Sequence, residues 1–559
     1  AGSAIPVDWE PQMNDGDTDR CERVDVTTLG DLLDRRAHAH PDRIALSFPD
    51  SETTYAQLAA RADSLARAML AAGIDSGDTV GILLPNCPDS IAVLFAVAQI
   101  GAVPVPVNGR FKEHELAQVV TLSRMCLLFV HPSTPLPDSV IARATALRQV
   151  VVLGADLTPE GAVAERDFLA ASSDVTAEHV HERRELVRVR DTAMVMYTSG
   201  TSASPKGAMI SHEALIRFAV GVTRNRLFLT ENDRVWTPLP LFHIGAVAFA
   251  IATIYAGCRY CHVGFYQPDT ALNQLEEQRC TVALPGFETV WLPVLNRPDF
   301  ARRDLSALRL VMAVGVPERL RDMAARLPHA VQVSCFGMTE ASSFLSLSKQ
   351  TDTHEQRMTT GGHPLPGMQC RVVDPETGRD VPPGTEGELL FRGTNCFDGY
   401  LHDPELTARC FDEQGWFHTG DVAVMDTDGR VTFVSRLKDM LKVGGENVSA
   451  VEVEDYLLRH PAVHIAQVVG APDAYYVEVP AAYIELKPDA TATEQEIIEF
   501  CLGNIATYRV PRYVRFVEEW PMSGTKIKKY VLRDRIKAEL AEANITQAPK
   551  LRPAREMQA

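Results

Sequence analysis

The chain has 559 residues, 46% of them hydrophobic and 23% charged, with a net charge of −18. Its length exceeds one ordinary core and predicts two or more domains, and its composition is that of a soluble globular protein. The acidic balance excludes non-specific binding to nucleic acid or to acidic membrane surfaces, which needs clustered lysine and arginine, yet leaves room for one bound nucleotide.

In chain order, Thr79 to Leu84 reads as a buried strand and Pro88 to Ile100 as a helix with proline in its first turn. Val103 to Val107 reads as strand, Glu113 to Leu122 as helix and Leu127 to Val130 as strand. Such alternation predicts helix-covered, mostly parallel sheets, hence an α/β fold. Val235 to Cys258 carries no Asp, Glu, Lys or Arg and is long enough to span a bilayer. Pro238, Pro240, His243, Gly245 and Gly257 interrupt it, so a buried strand–loop–helix unit is expected and no membrane partner. Asp421 to Asp428 and Arg430 to Ser435 flank Asp428-Gly429, a hairpin signal in a small β-rich subdomain.

Beyond Arg436 the texture changes to helix (450–459), strand (465–470), strand (481–486), helix (493–506) and strand (513–518). This predicts a boundary near Arg436, with domains over 1–436 and 437–559, the second of a usual domain size. Eleven cysteines without a repeated spacing fit a reducing compartment. The lone C-x-x-C of Cys258 and Cys261 is expected to be structural, since no second pair stands at metal-ligand spacing. No basic region followed by an apolar core opens the chain, so a secretion signal is not expected and a cytoplasmic location is.

The stretch YTSGTSASPKG, Tyr197 to Gly207, joins an apolar run to a hydroxyl-rich turn and a lysine. It departs from the Walker loop at Pro205, where glycine belongs, and at Gly207, where a hydroxyl should meet Mg²⁺. Hydroxyls, exposed amides and Lys206 still suit phosphate oxygens. Taken alone, the segment fits either a phosphate-holding loop or a solvated turn.

Four further segments follow in order: Pro240-Leu241-Phe242-His243, Phe336-Gly337-Met338-Thr339-Glu340, Gly415-Trp416-Phe417-His418-Thr419-Gly420-Asp421 and Gly444-Gly445-Glu446-Asn447-Val448. With these five motifs the chain resembles the adenylate-forming superfamily of acyl-CoA synthetases, carrier-protein adenylation domains and beetle luciferases, from about residue 27 to about residue 540. The resemblance implies a large N-terminal AMP-binding domain, a small mobile α+β C-terminal domain, and ATP, Mg²⁺ and coenzyme A as reactants. By the same resemblance Thr198, Ser199, Gly200, Thr201 and Lys206 hold the β- and γ-phosphates. Thr201 would also meet Mg²⁺, with Glu340 as its carboxylate ligand. Phe336, with Gly337, Met338 and Gly315 beside it, would flank the adenine, Thr339 would donate to the α-phosphate, and Asp421 would take the ribose hydroxyls with help from Arg436.

Pro521 to Lys529 resembles the segment that carries the family's catalytic lysine, which implies that role for Lys526, with Lys528 and Lys529 as solvated neighbours. Lys438 falls on the family's hinge position, Gly444 and Gly445 on the loop that admits the pantetheine arm, and Lys442 on a helper in thioester formation. By the same resemblance His243 stands where the family places an aromatic or histidine gate between the acid pocket and the thiol tunnel, and its alternative is a satisfied core histidine. The expected pocket uses His243, Gly245, Ala246, Phe287, Met312, Ala313, Val314 and Phe344, and its aromatic and small residues favour an aryl or medium-sized acid. The chain departs from the family pattern at Ala203, Val314 to Pro317, Thr525 and Val477, the last at a common glycine position. These departures keep a rival reading open, in which the acceptor or the acid differs: a carrier protein is loaded, or nitrite is activated for an arylamine. A third reading, a non-catalytic adenylate-binding protein, conflicts with retention of Lys206, Glu340, Asp421, Arg436 and Lys526.

Overall fold

Runs such as Thr79-Val80-Gly81-Ile82-Leu83 are buried along their whole length, which is why they read as unbroken apolar strands rather than as alternating ones. A computed structural model describes residues 27–551 except 112, 135, 156–157, 199–204, 444–445 and 524–525, with 438, 442, 446–447, 523 and 526 described for their backbone alone.

Two parallel sheets dominate the first three-fifths of the chain. One has five strands in the order Val103–Pro106, Thr79–Leu83, Leu127–Val130, Gln149–Val152 and Val163–Ala164. The other has seven, running from Val331–Val333 through Leu310–Val314, Val282–Phe287, Arg234–Thr237, Arg259–His262 and Ile44–Phe48 to Ser51–Thr54. Only its last pair is antiparallel. Helices Tyr55–Ala71, Pro88–Gln99, His212–Asn225 and Ile244–Ala256 fill the space between, and one apolar core runs through both layers. The uncharged stretch resolves into the strand Arg234–Thr237 and the buried helix Ile244–Ala256, as expected from its prolines and glycines. No helix among the described residues is long and apolar enough to cross a membrane.

A four-stranded antiparallel sheet, Met368–Val373, Glu386–Gly393, Phe417–Met425 and Val431–Arg436, forms the β-rich subdomain. Gly429 turns its last hairpin at φ 84°, a backbone that asparagine or glycine tolerates and other residues resist. After Arg436 a short 3-10 turn, Leu437–Asp439, leads into a separate five-stranded sheet built on the long hairpin Val463–Asp473 and Val477–Leu486. The helix expected to reach Ala506 stops at Cys501, where Leu502 turns extended at ψ 126° before Gly503 takes a left-handed turn at φ 80°. Every cysteine among the described residues is a free thiol, and Cys258 and Cys261 are both buried.

The last helix, Lys529–Glu542, is tied to the rest by two lysines expected to be solvated. Lys529 Nζ lies 2.5 Å from the buried carboxylate of Glu454, and Lys528 Nζ lies 3.6 Å from Glu115 on the helix Glu113–Leu122. The reason is tertiary: the helix Ala450–Leu457 brings a buried acid against the start of the last helix, which local sequence does not reveal. Arg459 with Glu318 (3.2 Å) and Arg319 with the His464 carbonyl (3.3 Å) complete the contact between the C-terminal sheet unit and the larger part.

Candidate active site

The strands on either side of the serine- and threonine-rich segment are paired with each other. Strands Thr192–Thr198 and Lys206–Ser211 pair in antiparallel register, with Thr198 opposite Lys206, so the two ends of the loop are clamped together. Ser199, Gly200 and Thr201 lie outside the described residues. Lys206 is held with its Nζ 5.5 Å from the centre of the Tyr400 ring, a cation–π distance.

Tyr400 was invisible in the sequence as a functional residue. It sits in the two-residue strand Gly399–Tyr400, which pairs with Lys206–Ser211 through Tyr400 and Ala208. Its hydroxyl donates to Glu340 Oε1 at 2.8 Å. Burial, then the neighbouring carboxylate of Glu340, push its phenol far above the ordinary range, so it stays protonated and can donate to that carboxylate.

Glu340 itself is 8% exposed. The strand Cys335–Met338 ends in the 3-10 turn Thr339–Ala341, and Phe397 N–H donates to the Glu340 carbonyl at 2.9 Å to fix that turn. Thr339 is brought beside Glu340 by the same turn. Gly337 is required here, since a Cβ would stand 2.1 Å from the Ser343 carbonyl oxygen of the returning strand. Among the described residues the Glu340 carboxylate accepts only from Tyr400, and no group of three or more His, Cys, Asp or Glu side chains gathers to hold a metal ion. A single buried carboxylate beside a phosphate-loop lysine fits Mg²⁺, which binds through one or two carboxylates and completes its shell with phosphate oxygens and water.

Phe336 stacks on Phe433 with centroids 5.8 Å apart and planes 18° apart, and Phe433 remains 40% exposed. Two nearly parallel rings with one open face offer a flat apolar surface for a purine. Asp421 and Arg436 face each other across the strands Phe417–Met425 and Val431–Arg436, with Arg436 Nε 2.8 Å from Asp421 Oδ1. Asp421 is 1% exposed while Arg436 reaches the surface, so a buried carboxylate is paired with a guanidinium on its solvent side. At Gly315 a Cβ would meet Glu288 Oε2 at 2.4 Å, and Glu288 is pinned by Arg319 at 2.7 Å and by Val316 N–H at 3.2 Å. Burial raises the Glu288 carboxyl despite the opposing arginine.

His243 caps the helix Ile244–Ala256, its Nδ1 accepting from Gly245 N–H at 3.0 Å, and its ring meets Phe287 edge-on at 6.4 Å. Capping and an aromatic contact are therefore combined in one half-buried ring. Of the other expected pocket residues, Phe344 packs into an aromatic group with Phe218 and Phe249, while Met312 and Ala313 are buried. A small apolar cleft opens beside the same helix, lined by Leu94, Phe95, Val107, Phe242, Val247 and Ile251.

Lys438 lies in the turn Leu437–Asp439, which Arg533 grips through Asp439 at 3.0 Å. Lys442 lies in the strand Met440–Val443 opposite Asn447, and Lys526 in the strand Lys526–Ile527 opposite Ser523. The side chains of Lys438, Lys442 and Lys526, and all of Gly444 and Gly445, are outside the described residues. Val477 takes φ 71° and is 68% exposed at the tip beside Val443, which accounts for the common glycine at that position.

The AMP-binding enzyme family matches residues 33–401, and the AMP-binding enzyme C-terminal domain matches residues 452–526. The medium-chain fatty-acid–CoA ligase of Escherichia coli (strain K12) is 33% identical over 529 residues, covering 92% of this chain and 91% of its own. The anthranilate CoA ligase AuaEII in complex with anthranoyl-AMP superposes with a TM-score of 0.81 at 27% identity, over 92% of this chain and 98% of that one. ATP-bound MatB from Rhodopseudomonas palustris does so with a TM-score of 0.81 at 27% identity, over 91% and 99%.

Proposed function

Since the chain belongs to the AMP-binding family of adenylate-forming enzymes, we propose that it is an ATP-dependent, AMP-forming ligase that joins an aryl or medium-chain carboxylic acid to coenzyme A. The observation that supports this reading is that Lys206, at the end of a strand pair, and the buried carboxylate of Glu340 meet on Tyr400, with Phe336, stacked on Phe433, just before Glu340 in the chain. The two kinds of acid follow the relatives, one a medium-chain fatty-acid–CoA ligase and another an anthranilate CoA ligase.

In the first step a carboxylate oxygen of the acid bonds to the α-phosphorus of ATP, the bond to the bridging oxygen breaks, and pyrophosphate leaves with the electron pair. Charge builds on phosphate oxygens, so catalysis is positioning and electrostatic stabilisation. Lys206 and the loop hydroxyls face the departing pyrophosphate, Thr339 the α-phosphate, Asp421 and Arg436 the ribose, and Phe336 the adenine. Glu340, with Thr201, would hold Mg²⁺, which supplies charge neutralisation for the triphosphate. Lys526 approaches the α-phosphate and the acid from the C-terminal domain, over 437–559. In the second step the thiol of coenzyme A attacks the acyl carbon and AMP leaves. Lys438 serves as the pivot that brings Gly444, Gly445 and Lys442 to the acyl-adenylate, and His243 with Phe287 lines the passage.

Incubation with ATP, Mg²⁺ and a panel of aryl and medium-chain acids is expected to release pyrophosphate, and AMP plus a thioester when coenzyme A is added. Pyrophosphate release with no thioester from any acid would shift the acceptor to a carrier protein or an amine. Lys526→Ala is expected to lose adenylation by at least about a hundredfold while thiolysis of supplied acyl-adenylate persists. Equal loss of both steps would overturn the division of labour.

A further inference from the structure

We infer that Tyr400 is a positioning residue that keeps the carboxylate of Glu340 and the ammonium of Lys206 apart and separately available. The inference rests on the ATP-handling part of the function proposed above and names a residue which that reading does not use.

Glu340, buried, and Lys206, half-buried, carry opposite charges against the same tyrosine, and the simplest outcome would be a direct ion pair that cancels both. They form none. The side chain between them is Tyr400, 5% exposed, which offers its hydroxyl to Glu340 Oε1 at 2.8 Å and its ring face to Lys206 Nζ at 5.5 Å. A neutral hydroxyl donor lowers the cost of burying the carboxylate without removing its charge, and it takes up one oxygen only. A ring face holds an ammonium by its quadrupole and leaves its three N–H donors unspent. Tyr400 thus prepares Glu340 for a hard cation and Lys206 for phosphate oxygens.

The residue is fixed from three sides. Its strand pairs with the exit of the phosphate loop, its N–H donates to Thr407 Oγ1 at 2.9 Å, and Phe397 packs edge-on against its ring at 4.9 Å. Gly399, at φ 127°, lets the chain pass where a Cβ would lie 2.6 Å from the Thr407 methyl.

The test compares Tyr400→Phe, which keeps the ring, with Tyr400→Leu, which keeps neither hydroxyl nor π face. Binding is read directly: Mn²⁺ by electron paramagnetic resonance in the presence of a non-hydrolysable ATP analogue, and the analogue alone by calorimetry without metal. Tyr400→Phe is expected to weaken Mn²⁺ binding about tenfold and leave metal-free analogue binding unchanged. Tyr400→Leu is expected to weaken the metal-free analogue several-fold as well. Adding Tyr400→Phe to Glu340→Gln should weaken Mn²⁺ binding no further than Glu340→Gln alone. Unchanged or tighter Mn²⁺ binding in Tyr400→Phe, additivity in the double variant, or parallel loss of metal and analogue binding with a lowered melting temperature would each overturn the inference. If the unaltered protein activates no acid, the proposed function fails while these binding measurements still decide the role of Tyr400.

Discussion

Lys529→Met removes the cation that faces Glu454. Glu454 is 7% exposed, and both the Lys529 ammonium, at 2.5 Å, and the Val468 N–H, at 2.6 Å, point at its Oε1. Methionine preserves most of the volume and leaves a buried carboxylate with one backbone donor. With charge centres about 4 Å apart and an effective dielectric of about 20, the lost attraction is about 4 kcal/mol. A second route gives the same ceiling. The carboxyl can escape by binding a proton, and from its ordinary value of 4.5 to an assay at about pH 7.5 that costs about 4 kcal/mol.

The sign of the pH effect follows from burial, which already raises the folded value of Glu454 against the opposing pull of Lys529. Removing Lys529 raises it further. Stability attached to the neutral carboxyl is present below the unfolded value and is lost as pH rises towards the folded one. The variant is therefore expected to lose about 3–4 kcal/mol at about pH 7.5 and less than about 1 kcal/mol at about pH 5. Hydrogen exchange of the amides in Ala450–Leu457 and Lys529–Glu542 reads this opening energy locally, which a whole-chain melt of a two-domain protein does not. A pH-independent loss below about 1 kcal/mol would show that the pair is solvated after all.

Two further outcomes are expected. Val477→Gly relieves a β-branched residue at φ 71°, worth about 1–2 kcal/mol, against about 0.5–1 kcal/mol of added freedom in the unfolded chain. Calorimetry should show the C-terminal transition rising by a few degrees, and a fall would refute the strain. Gly315→Ala drives a methyl to 2.4 Å from a carboxylate that Arg319 and Val316 hold in place, so ATP affinity measured by calorimetry should fall about tenfold or more. Unchanged affinity would mean that Glu288 swings aside freely.

What the sequence made legible was whatever had a local physical cause. Thr79–Leu83 and Leu127–Val130 are buried on both faces and so read as apolar runs, and proline at the start of Pro88–Gln99 marks a helix that needs no N–H there. The hairpin at Gly429 announced itself because few residues accept its backbone. The phosphate loop, the Glu340 turn and the Asp421–Arg436 pair were legible only through motif resemblance, since a threonine before a glutamate has no intrinsic signature. Tyr400 and Lys529 escaped both routes. Each owes its role to a partner distant in the chain, Glu340 for one and Glu454 for the other, and tyrosine after glycine or lysine after lysine is ordinary surface chemistry until strands and helices bring that partner near. Glu288 escaped likewise, because its meaning lies in the empty space at Gly315.

The stacking of Phe336 on Phe433 has a mechanical corollary. Phe433 belongs to the strand Val431–Arg436, the last piece of the larger part before the chain turns at Leu437–Asp439. A purine resting on that stack and a ribose gripped by Asp421 and Arg436 would both bear on the root from which the C-terminal unit hangs. Under the proposed hinge at Lys438, nucleotide occupancy and stiffness of the pivot would be one variable. An occupied site would give the C-terminal unit a firm mounting, and departure of AMP would slacken it as the proposed cycle resets.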